Sequence, residues 1–144
     1  MAEAAIDTER ICEIVRRLLR EGFPLYDESH EVFAAPVTQG VSISYRTKPD
    51  PMTRDTTYFD VNIIGDVCYN INTAIAPEHW GHGHGKKLHR VIEEIGREFN
   101  CKRVQFTASG QLPSGRSRVE YMEDLGYHKV EGSHDFVVEI LLDG

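Results

Sequence analysis

The chain has 144 residues, 40% of them hydrophobic and 27% charged, a length and balance that fit one folded domain spanning 1–144 and exclude a disordered or fibrous chain. Its net charge of −7 argues against a nucleic-acid-binding surface, which needs a basic patch, and tolerates a cationic substrate. No apolar run approaches the roughly 20 residues that cross a bilayer, and the stretch from Met1 to Asp7 lacks a basic segment followed by an apolar core, so a cytoplasmic protein is expected. The three cysteines, Cys12, Cys68 and Cys101, are odd in number and far apart, which reads as small buried hydrophobes in a reducing compartment.

Asp7 is placed to cap a first helix over 8–21, in which Ile11, Ile14, Val15, Leu18 and Leu19 recur at helical spacing and Gly22 marks the end. The segment from Phe23 to Val37 is irregular and interrupted by Pro24 and Pro36, with a short strand expected around Val32-Phe33-Ala34. Val41 to Tyr45 alternates with period two, and so does Tyr58 to Ile64; Gly65-Asp66 then forms a hairpin turn into an antiparallel strand from Val67 to Ile75. That strand stops at Pro77. From Gly85 onward, Leu88, Val91, Ile92, Ile95 and Phe99 trace one helical face, while Lys86, Lys87, Arg90, Glu93, Glu94 and Arg97 occupy the wetter side, where Glu93 and Arg97 can pair. Arg103 to Thr107 reads as a strand parallel to the one before the glycines. A polar loop from Ser109 to Gly115, a short helix over 116–125 ending at Gly126, and two strands, near 127–130 and 135–141, complete the chain.

The stretch Trp80-Gly81-His82-Gly83-His84-Gly85-Lys86-Lys87 carries the chemistry. Alternating glycines between a strand and a helix allow positive φ and close approach of a ligand, so backbone N–H groups and the helix dipole converge on an anion. The spacing does not fit a P-loop, because no hydroxyl residue follows Lys86-Lys87, nor a dinucleotide fold, whose glycine turn opens the first strand-helix unit. His79, His82, His84 and His89 raise the alternative of a zinc, nickel or copper site. No cysteine or carboxylate pattern accompanies them, and a metal would occupy the anion cradle, so none is expected.

A strand ending Thr73-Ala74-Ile75-Ala76-Pro77-Glu78, this glycine turn, an amphipathic helix, a parallel strand and a helix ending Glu123-Asp124-Leu125-Gly126-Tyr127 together resemble the GNAT superfamily of N-acetyltransferases over about Val67 to Val130. Gly83 and Gly85 match the paired glycines of its Gln/Arg-x-x-Gly-x-Gly/Ala signature, Leu88 the apolar residue after them, and Leu125-Gly126-Tyr127 its Leu-Gly-Phe. The resemblance implies an α/β fold whose mostly antiparallel sheet splays at a parallel strand pair and is flanked by helices. It implies that acetyl-CoA, as cosubstrate, lays its diphosphate on the amides of His82, Gly83, His84, Gly85 and Lys86. Lys87 and Arg90 add charge or simply face solvent. The pantetheine arm pairs with the strand near Thr73, Ile75 and Ala76, and a backbone N–H near Ile75 serves the oxyanion. The acceptor is a primary amine, of a small molecule or a protein, that attacks the thioester directly.

The chain departs from that family in two places. Trp80 replaces the usual Gln or Arg, and its indole either covers the cofactor or packs against the following helix. Met122 stands where a tyrosine often protonates the leaving thiolate; Tyr121 is the candidate acid, yet one residue turns a regular helix by roughly 100° and aims it elsewhere. Asp60, Asp66, Glu120, His134 and Asp135 are candidate bases acting through water. Without an evident acid or base, the alternative reading is a non-catalytic acyl-CoA-binding module. The apolar stretch Phe136 to Leu142 offers an edge for a homodimer.

Overall fold

A computed structural model of the chain describes residues 7–47, 56–108, 110–112, 114–130 and 137–142. Helix α1, Thr8–Gly22, starts where expected because Asp7 Oδ1 accepts the Arg10 N–H at 3.1 Å, and it buries Ile11, Val15, Leu18 and Leu19. Strand β1, Glu31–Val37, is longer than the sequence suggested and runs through Pro36. It can do so because β1 lies at the edge of the sheet, where a missing ladder donor is tolerated.

Strand β2, Gly40–Arg46, β3, Tyr58–Ile64, and β4, Val67–Ala74, follow as antiparallel neighbours, the last two joined through Gly65 at φ +60°. A 3-10 turn over Pro77–His79, which the sequence did not suggest, leads into helix α2, His84–Glu98. Strand β5, Arg103–Thr107, then runs parallel to β4. Helix α3, Arg118–Asp124, and strands β6, His128–Lys129, and β7, Val137–Leu141, complete a seven-stranded mixed sheet of order β1-β2-β3-β4-β5-β7-β6. The expected start of the last strand, 135–136, lies outside the described residues. So does Phe136 of the apolar stretch proposed for pairing.

Helices α1 and α2 pack on each other and on one face of the sheet. Ile43, Tyr45, Phe59 and Val61 from the sheet meet Val15, Leu19, Leu88, Ile92 and Ile95 from the helices, all fully enclosed. Burying each of the larger aliphatic side chains contributes about 1.5–3 kcal/mol, which is why the apolar periodicity dictates which helical face turns inward. None of the described helices is long and apolar enough to cross a membrane.

Two features of β4 shape the space beyond it. Its parallel register with β5 runs only from Val67↔Arg103 to Asn70↔Phe106, so the rest of β4 is paired on one side alone and a slot opens between the strands. At that same point Asp60 pairs with Asn72 and Val61 with Asn70, leaving Ile71 as a bulge, 49% exposed. The extra residue shifts the alternation, so Asn70 and Thr73 both fall opposite core-facing β3 residues, and the Thr73 hydroxyl donates to Asn70 Oδ1 at 2.8 Å.

The wetter side of α2 is not uniformly wet. Glu93, expected to be exposed and paired with Arg97, is 3% exposed. Arg90 Nη1 donates to both its carboxylate oxygens, at 2.9 and 2.7 Å, and the Tyr127 hydroxyl donates to it at 3.2 Å. Arg97 pairs instead with Glu94 at 2.6 Å.

Candidate active site

The slot at the end of β4 continues into a cavity of about 490 Å³ enclosed by three elements. Thr73, Ala74 and Ile75 form the strand side. Gly81, Gly83, His84, Gly85, Lys86 and His89 form the helix side, and Leu112, Ser114, Arg118 and Tyr121 the side contributed by α3 and its approach. Such a volume lies within the range of small-molecule clefts.

The helix side is built from backbone. Gly81 and Gly83 take φ of +82° and +77°, a region that glycine alone enters without strain, and Gly83 stands at the N-cap of α2. No side chain caps this helix. The first backbone bond of α2 is Lys87 N–H to Gly83 O at 3.2 Å, so the amides before it point outward, where the helix dipole is positive. At Gly85 a Cβ would stand a tight 3.3 Å from the Tyr121 hydroxyl and in ordinary contact, 3.8 Å, with Ile75 Cγ1, so the missing side chain leaves room for the tyrosine beside α2.

Of the residues expected to hold a cofactor, Thr73, Ile75, Gly83, His84, Gly85 and Lys86 line this cavity. His82 and Lys87 do not. Ala76 is buried and its N–H already donates to Thr57 Oγ1 at 2.9 Å, so β4 offers its edge only as far as Ile75. Trp80 is 49% exposed and its Nε1–H donates to the Ile75 carbonyl at 2.8 Å. The indole therefore closes the end of the strand at the cavity rim rather than packing under α2.

Tyr121, expected to face away, is on the cavity wall, while Met122 is 1% exposed in the core. The reason is the short helix: α3 is anchored by Met122 beneath it and by the Tyr127 N–H to Met122 O bond at its end, which leaves the preceding residue turned to the slot. Burial raises the Tyr121 pKa above the ordinary phenol value, against the pull of Arg90 and Arg116, so its hydroxyl keeps its proton at neutral pH.

The basic side chains divide. Lys86 and Arg118 line the cavity, whereas Arg116 is engaged by Asp124. The four histidines also divide. His79, His82 and His84 surround the glycine turn, with the ring of His84 6.0 Å from each of the others. His89 is separate, enclosed in the second turn of α2 against Phe106 and Tyr121. Among the described residues, no group of three or more His, Cys, Asp or Glu side chains is arranged to hold a metal ion.

Among the described residues, none of the candidate bases lines this cavity. Asp60 lies on the opposite sheet face, accepts the Ser44 hydroxyl at 2.6 Å and sits 3.7 Å from Arg46. Asp66 and Glu120 are exposed and line no part of it, and His134 and Asp135 lie outside the described residues.

The Acetyltransferase (GNAT) family model matches residues 44–127, which span the glycine turn, both strands of the parallel pair and Tyr121. The chain belongs to that family. Solved structures agree on the fold of this GNAT chain. A Klebsiella pneumoniae protein described as an acyl-CoA N-acyltransferase superposes with a TM-score of 0.54 at 16% identity, covering 94% of this chain and 92% of that one. An Agrobacterium tumefaciens protein described as an acetyltransferase gives 0.51 at 14% identity, over 99% and 98%. The PaiA N-acetyltransferase of Thermoplasma acidophilum, solved in complex with coenzyme A, gives 0.50 at 16% identity over 59% of this chain, which spans only 52% of that protein. No significant match appears among curated proteins. Membership of the GNAT family supports acyl transfer as the general activity, and its fold, a mixed sheet with one parallel strand pair opening into a slot, is the one expected from the sequence.

Proposed function

We propose that this GNAT domain transfers the acetyl group of acetyl-CoA to a primary amine by direct attack on the thioester. The observation that carries the reading is one continuous cavity joining the uncapped start of α2, the open edge of β4 and the Tyr121 hydroxyl. The outward amides of Gly83 to Lys86, with the Lys86 and Arg118 side chains, suit the diphosphate. The edge of β4 from Thr73 to Ile75 suits the amide-bearing arm as an added strand would. The N–H of Ile75 is offered to the oxygen of the carbonyl as the amine's lone pair adds to its carbon. As the carbon–sulfur bond breaks, Tyr121 donates its proton to the sulfur, the new amide loses one proton to water, and water returns one to the Tyr121 phenolate, so the cycle closes. Among the described residues no carboxylate lines the cavity, and in this reading the amine arrives neutral or loses its proton to solvent.

Thiol release from acetyl-CoA across a panel of polyamines, aminoglycosides, peptide N-termini and lysine peptides tests this. Turnover on any amine supports transfer; coenzyme A binding without turnover on all of them supports the non-catalytic module. Within the transfer reading, Tyr121→Phe is expected to lower kcat about 100-fold while leaving the affinity for coenzyme A within about twofold. An unchanged kcat removes Tyr121 from the chemistry.

The histidines add a pH dependence. Burial, then the positive charge of Lys87 and the neighbouring imidazoles, holds His84 below its ordinary pKa, so it is neutral in the free protein at pH 7. A diphosphate beside it favours the protonated form, and binding then takes up a proton. Affinity for coenzyme A should accordingly be higher at the acid end of the range, rising as the pH falls toward the depressed pKa of free His84, and level off at alkaline pH. Calorimetric titration in phosphate-free buffers between pH 5.5 and 8 checks the sign; an affinity independent of pH over that window means that His84 does not meet the phosphates.

A further inference from the structure

The peptide unit joining Ile75 to Ala76 is held at both ends by side chains. Its carbonyl accepts the Trp80 Nε1–H at 2.8 Å, and its N–H donates to Thr57 Oγ1 at 2.9 Å. Thr57 is 1% exposed and is itself fixed by two bonds to Thr47. Its N–H donates to Thr47 Oγ1 at 3.1 Å, and the Thr47 N–H donates to the Thr57 carbonyl at 3.0 Å. On either side of this unit the backbone is held by ordinary means. Ala74 pairs with Tyr58 as the last residue of β4, and the Ala76 carbonyl accepts the His79 N–H at 2.9 Å in the 3-10 turn. The ladder ends before the unit, and Pro77 brings no N–H with which to resume it. Two side chains from separate parts of the chain thus lock one peptide plane where β4 meets the cavity that Ile75 and Trp80 line.

Ile75 is the residue this lock constrains. Its own N–H belongs to the preceding peptide, between the Ala74 pair and the locked unit, and takes no backbone partner among the described residues. A donor whose neighbours are fixed on both sides cannot swing away as charge builds on its acceptor, and so needs no reorganisation during the reaction. The fold does not require the indole for this bond. Trp80 is 49% exposed and the bond lies at the rim of the cavity, where water would serve the carbonyl, so what the indole adds is direction more than stability.

We propose that Trp80 and Thr57 are positioning residues for acyl transfer, clamping the Ile75–Ala76 peptide so that the Ile75 N–H is aimed at the oxygen of the thioester carbonyl. This assignment rests on the reading of the cavity as an acetyl-CoA site. Infrared spectra of bound acetyl-CoA carrying ¹³C at the thioester carbonyl test it without an acceptor amine. A straight hydrogen bond lowers the carbonyl stretch, so the wild type should absorb at lower frequency than Trp80→Phe, which keeps an aromatic ring and lacks the N–H. Trp80→Phe should retain the thermal midpoint and bind acetyl-CoA within about twofold of wild type. Trp80→Gln, which ends in a neutral N–H donor, should recover part of the shift. Thr57→Val should raise the frequency as well and also lose stability, because it strands the buried Ala76 N–H, whereas Thr57→Ser keeps both properties. On the best amine of the panel, Trp80→Phe should lower kcat about tenfold with KM for both substrates within about twofold.

A Trp80→Phe protein with the wild-type stretch and kcat, or one whose only change is weaker binding of acetyl-CoA, overturns the clamp while leaving the cofactor reading in place. A wild-type complex whose carbonyl absorbs like a thioester in an apolar solvent removes Ile75 from the oxyanion. A wild-type protein that binds no acetyl-CoA overturns the cofactor reading, and the assignment falls with either.

Discussion

Gly83→Asp is expected to abolish measurable coenzyme A binding, a loss of at least about 100-fold, while the protein remains folded. Two physical effects combine at this position. The N-cap conformation at φ +77° costs a side chain about 1–2 kcal/mol, although no atom stands within 4 Å of where its Cβ would go, so the strain is local and the fold survives it. The larger effect is on the ligand. A carboxylate at the head of α2 competes for the outward amides that would hold the diphosphate and repels its charge. Gly83→Ala separates the two, because it keeps the strain and omits the charge; its affinity should fall far less than that of the aspartate variant, with a similar loss of stability. Titration by calorimetry beside thermal unfolding reads both quantities. Wild-type affinity in Gly83→Asp would falsify the backbone cradle.

Arg90→Met should cost about 3 kcal/mol of stability, a large effect for a side chain that is 41% exposed. The cost comes from the groups that Arg90 leaves behind. Glu93 is buried, and without the guanidinium its carboxylate keeps only the Tyr127 hydroxyl, while the Leu125 carbonyl loses the Arg90 Nη2 donor at 2.9 Å. Pairing Arg90→Met with Glu93→Gln should recover part of the loss, since a neutral amide is cheaper to leave half-satisfied than a carboxylate. Leu125 lies one turn beyond Tyr121, so the same contact fixes the end of the helix that presents the phenol to the cavity. Urea unfolding of the single and double variants measures the coupling, and a single variant within about 0.5 kcal/mol of wild type would mean that water replaces the arginine.

The elements that rest on local periodicity were readable in the chain. Helix α1, the hairpin around Gly65 and the apolar face of α2 each follow from residues within one or two turns of each other. Features that depend on distant partners were not. Glu93 reads as a surface residue because its partner on the same helix, Arg97, is one turn away, whereas its actual partners are Arg90 and a tyrosine 34 residues further on. Pro36 reads as a strand breaker until β1 is known to be an edge. The bulge at Ile71 has no glycine to announce it, and only the register with β3 reveals it. In the site, the glycine turn was legible because backbone conformation restricts residue type there. Counting residues back from Gly126 put Met122 in the tyrosine's place, yet Met122 enters the core and Tyr121 takes the slot. His89 looked like part of a histidine-rich loop because sequence proximity does not distinguish the loop from the buried second turn of the helix after it.

The three cysteines have a practical consequence for following such a reaction. Cys68 and Cys101 are buried, and Cys12 is half-buried with its thiol directed to the Val32 carbonyl at 3.5 Å. Burial pushes all three thiols above their ordinary pKa, so little of the reactive thiolate exists at neutral pH. The folded protein is therefore expected to react slowly with a chromogenic disulfide reagent, with Cys12 the most accessible of the three. A fast colour change during turnover would report released coenzyme A, and a background that quickens on heating or in denaturant would register exposure of the core in the same cuvette.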